Sequence, residues 1–279
     1  MPIQLEKKKI PILMYHSISE HATPKYRSFV VSPKLFADHM TYLRHHGYTA
    51  ITVTQFVYIV TQGETVLPER PVVITFDDGF ADFFTEALPI LQQYNFTATL
   101  YIATGFIGST SRWMRREGEA TRSMLTWDQV NEISARGIEC GGHSHWHRQL
   151  DTLPLTEARD EIVRCKGLLE DHLGQEVSTF AYPHSYHSAA IKRLVREAGY
   201  TSACAVGYAM SSMTTDPFAL ARLRMGADTS VDALAGLLTQ PIPSIITTIY
   251  KRSRASAWRL VRRCSASVTQ HLPATLESS

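Results

Sequence analysis

Little in this chain is available for cross-linking. Its four cysteines, Cys140, Cys165, Cys204 and Cys264, are widely spaced and form no Cys-x-x-Cys pair. That is no disulfide framework, so reduced and mostly buried thiols are expected. Charge of one sign is equally scarce: the formal net charge is +2, which gives no case for nucleic acid as a partner. Long apolar runs are missing too, and none approaches the ~18–20 residues that span a membrane. Lys7, Lys8 and Lys9 precede an apolar run that His16 breaks, and no small-residue cleavage site follows. No signal peptide is expected, and cytoplasmic placement is the expectation. What remains is an ordinary globular composition, 44% hydrophobic and 19% charged over 279 residues, enough for a sizeable core. The twelve histidines, several of them clustered, hint at metal or acid–base chemistry.

Short apolar runs alternate with amphipathic segments along the chain. Strands are expected at 10–16, 49–53, 72–77, 97–102, 138–142, 177–182, 200–206 and 219–225. Ser32 and Pro33 start a helix that Gly47 stops, with Leu35, Phe36, Met40 and Leu43 on one face. Thr54 is expected to cap a second helix to about residue 61. A third, 81–94, carries an irregularity at Pro89. Thr126 and Gln129 form a capping box for a fourth, ending at Gly137. Others are expected at 157–173, 188–198 and 230–238. This alternation predicts parallel strands in an α/β fold, either a doubly wound sheet or a distorted (β/α) barrel of about seven strands. One domain is expected over 1–239, followed by a basic helical tail over 240–279. Polar residues fall where strands end: His16, Asp77–Asp78, His143–His147 and Tyr182–His184. In a parallel barrel those ends share one rim, where sites are built. The polar stretch 104–124 is long enough to suggest a site-covering role.

Residues 72–79 drive an apolar strand into two adjacent carboxylates and a glycine. A buried, unpaired carboxylate is strongly disfavoured, so Asp77 and Asp78 are expected to leave the core and meet a cation or substrate. Asp-Asp-Gly is also a turn signal. Residues 141–147 hold three histidines in five positions, His143, His145 and His147. Two neutral imidazoles and a carboxylate, with positions open to water, are a common catalytic arrangement for zinc-like cations. A histidine-rich surface loop is the other reading of this tract.

Together and in this order, the two clusters resemble the polysaccharide deacetylase family, the NodB-homology enzymes of carbohydrate esterase family 4. The family's first motif, Thr-Phe-Asp-Asp-Gly, stands unaltered at Thr75 to Gly79. Its second, His-Ser/Thr-x-x-His, stands at His143 to His147. The resemblance covers roughly residues 8–226 and implies Asp77 as general base. It implies Asp78, His143 and His147 as ligands of one divalent transition metal, zinc being the first choice. The third motif, Arg-x-Pro-Tyr-like, is represented around Tyr182 and Pro183, with Ala181 at the arginine position and His184 at the tyrosine position. In the family that arginine holds the base in place. Arg222 is the candidate substitute, and a surface arginine at a strand end is its alternative reading. A backbone N–H near Tyr182 is expected to share in holding an oxyanion.

The family's last motif, an apolar strand ending in a catalytic histidine, is missing behind the third. Residues Ile12 to His16 have that form at the front of the chain, which looks like the circularly permuted branch that includes poly-N-acetylglucosamine deacetylases. In a closed barrel the first and last strands are neighbours, so moving one across the chain ends can preserve its place. His16 would then be the general acid; a core histidine is the other reading. The resemblance implies a hydrolase of non-peptide carbon–nitrogen bonds that removes N-acetyl groups from an amino-sugar saccharide or lipid-linked sugar. The alternatives are an allantoinase-like amidase on a small non-sugar amide, and a saccharide-binding protein that has lost catalysis. The tail interleaves Lys251, Arg252, Arg254, Arg259, Arg262 and Arg263 with Trp258, Leu260 and Val261. Residues 245–263 are read either as a peripheral contact to the inner membrane face or as a helix packed on the barrel with its charges in water.

Overall fold

Eight parallel strands carry the molecule: β1 (Ile12–Tyr15), β2 (Tyr48–Ile51), β3 (Arg70–Phe76), β4 (Thr99–Ile102), β5 (Glu139–Gly142), β6 (Thr179–Ala181), β7 (Ser202–Val206) and β8 (Leu220–Arg224). The computed structural model describes residues 9–62, 67–206, 210–212 and 215–239. Seven strands form a closed ring in the order β1-β8-β7-β6-β5-β4-β3. Pairing of Ile12–Tyr15 with Val73–Phe76 seals it. The eighth, β2, lies outside the ring along the first half of β3, and β4 takes over as the partner of β3 at Thr75. The distorted seven-stranded barrel expected from the alternation is therefore the fold. The first strand sits beside the last, so a strand supplied by the front of the chain completes the ring.

The helices α1 (Pro33–His45), α2 (Val53–Gln62), α3 (Leu88–Gln93), α4 (Trp127–Ala135), α5 (Leu155–Leu173), α6 (Ala189–Glu197) and α7 (Val231–Thr239) follow local chemistry. The Ser32 hydroxyl accepts from the Leu35 N–H, and α1 buries Phe36, Met40 and Leu43. Thr126 and Gln129 form the expected capping box. One cap differs: α2 is started by Thr52, whose hydroxyl accepts from the Gln55 N–H (3.1 Å) while the Gln55 side chain accepts from the Thr52 N–H (2.9 Å). Two reciprocal bonds outcompete a lone threonine, and Thr54 falls within the first turn. The irregularity near Pro89 takes the form of a π-helical turn, Phe83–Ala87, leading into α3. Proline supplies no N–H to the preceding turn, which makes such a bulge inexpensive there.

The two-residue period of the strands separates two apolar layers. Leu13, Tyr15, Ile74, Phe76, Leu100 and Ile102 pack outward against the helices. Ile12, Val73, Tyr101, Ala181, Cys204 and Leu220 form the inner cluster, joined at the foot by Val53 and Phe56 of α2. Gly141 is required inside: a Cβ there would lie 2.7 Å from the Tyr101 ring. Carried two residues further, the inward rows reach Thr75 and then Asp77, and Arg222. Cys140, Cys165 and Cys204 are buried and free, as expected. Cys264 and the tail 240–279 lie outside the described residues. No helix among the described residues is long and apolar enough to cross a membrane.

Candidate metal centre and active-site cleft

The two aspartates part company because the backbone turns sharply between them. The Asp77 N–H makes the last rung to β1, donating to the Tyr15 carbonyl (3.0 Å). Asp78 and Gly79 then adopt left-handed conformations, with φ of 77° and 85°. Asp78 is thereby delivered to the histidines. Its Oδ1 lies 3.4 Å from His143 Nε2 and 3.1 Å from His147 Nε2. Donor atoms of all three residues fall within 4.8 Å of one another, and all three side chains are buried.

This donor set fits a divalent cation. The His143 Nδ1 lies 2.8 Å from the Ala181 carbonyl, which only accepts, so Nδ1 carries a proton and Nε2 is the free donor toward Asp78. Burial pushes the Asp78 carboxyl up, but His147 and His143 outweigh it and hold the group well below its ordinary value. Burial likewise pushes His143 down, and Asp77 and Asp78 outweigh it, so this imidazole ends above its ordinary value. The pocket thus favours positive charge between these three side chains.

His145, the middle histidine, takes no part. Its Nδ1 meets the Thr104 hydroxyl at 2.9 Å. Its carbonyl accepts from the Gly105 N–H (2.7 Å), and a Cβ on Gly105 would come within 2.5 Å of the Trp146 ring. Glu161 fixes the other side of the tract, its carboxylate accepting from the Trp146 N–H at 2.7 Å. Of the six non-glycine residues with positive φ among the described residues, five border this centre: Asp78, Ser144, His147, His184 and Ser185. Such conformations cost about 1–3 kcal/mol each and collect where a site must be held in one geometry.

Asp77 stays out of the donor cluster. Arg222 grips it from β8, with Nη1 donating to Oδ1 (2.6 Å) and Nη2 to Oδ2 (2.7 Å). The same Nη1 lies 3.2 Å from the Thr75 hydroxyl, and the guanidinium sits 5.5 Å from the Tyr101 ring centre. Burial pushes the Asp77 carboxyl up, but Arg222 and His143 outweigh it and leave it below its ordinary value. Arg222 is fully buried, so the reading of it as a surface residue is excluded. At the third-motif arginine position, Ala181 faces the inner cluster with nothing to reach the base.

His16, just past β1, opens into the same cleft as Asp77, Asp78, His143 and His147. Its ring meets Phe29 edge-on (5.0 Å), and its Nδ1 is buried without a partner among the described residues. Burial pushes this imidazole below its ordinary value, although Asp78 and Asp77 pull the other way. Tyr182 follows β6 directly. Its N–H donates to the Cys204 carbonyl (3.1 Å) and its hydroxyl to the Phe218 carbonyl (3.0 Å). Strand pairing with β7 continues through this residue, so its own amide is taken up by the sheet. His184 lines the cleft with its ring 4.6 Å from that of His147.

The cleft has a volume of about 670 Å³. Its walls come from two long connections: Lys25, Tyr26 and Phe29 from one, Trp113, Met114 and Glu117 from the other. The expected covering segment 104–124 thus does border the site. Arg122 stitches the connections together, donating to Glu119 (2.7 Å), to Ser17 (2.9 Å) and to the His21 carbonyl. The aromatic walls were not anticipated from sequence; their only signal was aromatic residues within non-periodic stretches.

With this geometry in hand, known proteins fall into place beside it. A family model described as polysaccharide deacetylase matches residues 65–203. A Bacillus subtilis (strain 168) protein named as polysaccharide deacetylase YxkH is 28% identical over 237 residues, 85% of this chain and 78% of that one. The poly-beta-1,6-N-acetyl-D-glucosamine N-deacetylase of Staphylococcus aureus (strain MRSA252) is 24% identical over 182 residues, 62% of this chain and 60% of that one. Among solved structures, the Streptococcus pyogenes deacetylase PplD in complex with acetate matches with a TM-score of 0.72 at 25% identity. That match covers 84% of this chain and 99% of the other.

Proposed function

The chain belongs to the polysaccharide deacetylase family, and from that premise we propose a metal-dependent carbohydrate N-deacetylase that removes acetyl groups from an amino-sugar saccharide or glycolipid. One observation carries the reading. Asp77 is kept anionic by a two-pronged arginine contact yet stays outside the Asp78, His143 and His147 cluster beside it. A protein that only bound saccharide would have no use for an unligated base in that position. Asp78, His143 and His147 would hold the cation, with zinc the first choice for two imidazoles and a carboxylate. Bound there, it would polarise the acetyl carbonyl and lower the pKa of a water.

The remaining duties belong to side chains. Asp77 takes the proton of the attacking water. Arg222 keeps that carboxylate ionised and aimed. His16, protonated, donates to the departing amine, which leaves poorly without a proton. Trp113, Tyr26 and Phe29 form apolar walls on which a sugar ring can lie. Acetate release from N-acetylglucosamine oligomers should be measurable, abolished by a chelator and restored by a divalent transition metal. Release that survives chelation and metal analysis showing no bound ion would overturn the proposal.

The pH profile tests His16. A general acid works below its pKa and fails as pH rises through it. Because burial lowers the His16 value, the alkaline limb of kcat should lie to the acid side of an exposed imidazole's. His16→Ala should lower kcat by about 10²–10⁴-fold and remove that limb. An unchanged profile would make His16 a packing residue.

A further inference from the structure

Two arginines stand two residues apart on β8, and only one of them is matched by an acid. Arg222 spends its fork on Asp77. Arg224, next on the same face, lines the cleft. It donates from Nη1 to the Ser28 carbonyl, and its guanidinium lies 5.5 Å from the Phe29 ring centre. Among the described residues no carboxylate pairs with it. Lys25 also lines the cleft, but it is exposed and keeps its hydration, its Nζ donating to the Arg116 carbonyl (3.2 Å). Among the described residues, Arg224 is thus the partly buried cation of the cleft that no carboxylate pairs.

A half-buried guanidinium gives up hydration that a backbone carbonyl and a ring only partly replace. Its planar fork suits phosphate and carboxylate oxygens, and contacts on two sides already orient it. We propose that the cleft takes an acidic saccharide, with Arg224 binding a phosphate or carboxylate group carried by the N-acetylated substrate. This rests on the deacetylase reading and narrows its substrate class.

A competing role must be separated. Arg224 holds Ser28, and neighbouring Phe29 packs on His16, so a loop-pinning arginine would affect every substrate alike and act on kcat. An anion-binding arginine discriminates between substrates and acts on KM. The experiment compares the metal-loaded chain on three N-acetylglucosamine oligomers of equal length: neutral, phosphodiester-bearing and carrying a lactyl carboxylate. Wild type should prefer one of the acidic oligomers. Arg224→Gln should shrink that preference about tenfold, equivalent to about 1.4 kcal/mol, chiefly through KM. Arg224→Lys should restore part of it, and added salt should erode it. The oligomer that loses most identifies phosphate or carboxylate as the recognised group. Equal losses on neutral and acidic oligomers, or a wild type that does not prefer either acidic one, would overturn the inference while leaving the deacetylase reading intact. No acetate from any of the three would overturn both.

Discussion

Asp77→Asn should cost about 10²–10⁴-fold in kcat, the range spanned by loss of a positioned general base. An amide is nearly the same shape as the carboxylate, but it cannot take the water's proton. The loss should appear in kcat rather than in KM, because no substrate contact is removed. Stability should also fall, since Arg222 would remain fully buried without its counter-charge. Breaking one side of a buried pair costs about 3–5 kcal/mol, visible as a lower Tm. Turnover is therefore to be scored on protein shown to be folded at the assay temperature. Near-full activity in folded Asp77→Asn would place the base elsewhere.

Arg222→Met attacks the same pair from the other side. The carboxylate of Asp77 would lose the largest of the influences now opposing its burial, so its pKa should climb. A base acts above its pKa and fails as pH falls through it. The acid limb of the rate profile should therefore move to higher pH, with activity partly regained in alkaline buffer. Stability follows the same sign in wild type. Asp77 is held below its ordinary value, so its contribution is present above the ordinary carboxylate range and lost as pH falls through the lowered value. In Arg222→Met the unpaired carboxyl should destabilise the fold by about 3–5 kcal/mol near neutral pH, and less in acid, where the carboxyl is neutral. A variant whose acid limb stays in place would show that Arg222 braces the barrel without tuning the base.

The parts of this site that could be read from sequence are those made by neighbours along the chain. Thr75 to Gly79 and His143 to His147 are local motifs, and the strand alternation that brings them to one rim is a periodic signal. The position of Arg222 is a different matter. It meets a carboxylate 145 residues away, and only barrel closure decides that an inward arginine on β8 reaches Asp77. Tyr182 is a second case. Its place in the third motif does not reveal that strand register commits its own amide to the Cys204 carbonyl. The choice of His143 and His147 over His145 depends on left-handed turns at Ser144 and His147, which spacing alone does not reveal. Tyr26, Phe29 and Trp113 sit in irregular connections, where no period marks which side chain faces the cleft.

The division of labour between adjacent aspartates is the centre of the account, and a metal titration of two variants tests it most directly. Apo Asp77→Asn and apo Asp78→Asn are titrated with zinc beside wild type and the bound ion is counted. Asp77→Asn should take up one equivalent with close to wild-type affinity, and Asp78→Asn should bind far more weakly or not at all. Tight binding by Asp78→Asn, or loss of the ion from folded Asp77→Asn, would contradict the assignment of one carboxylate to the metal and the other to the proton.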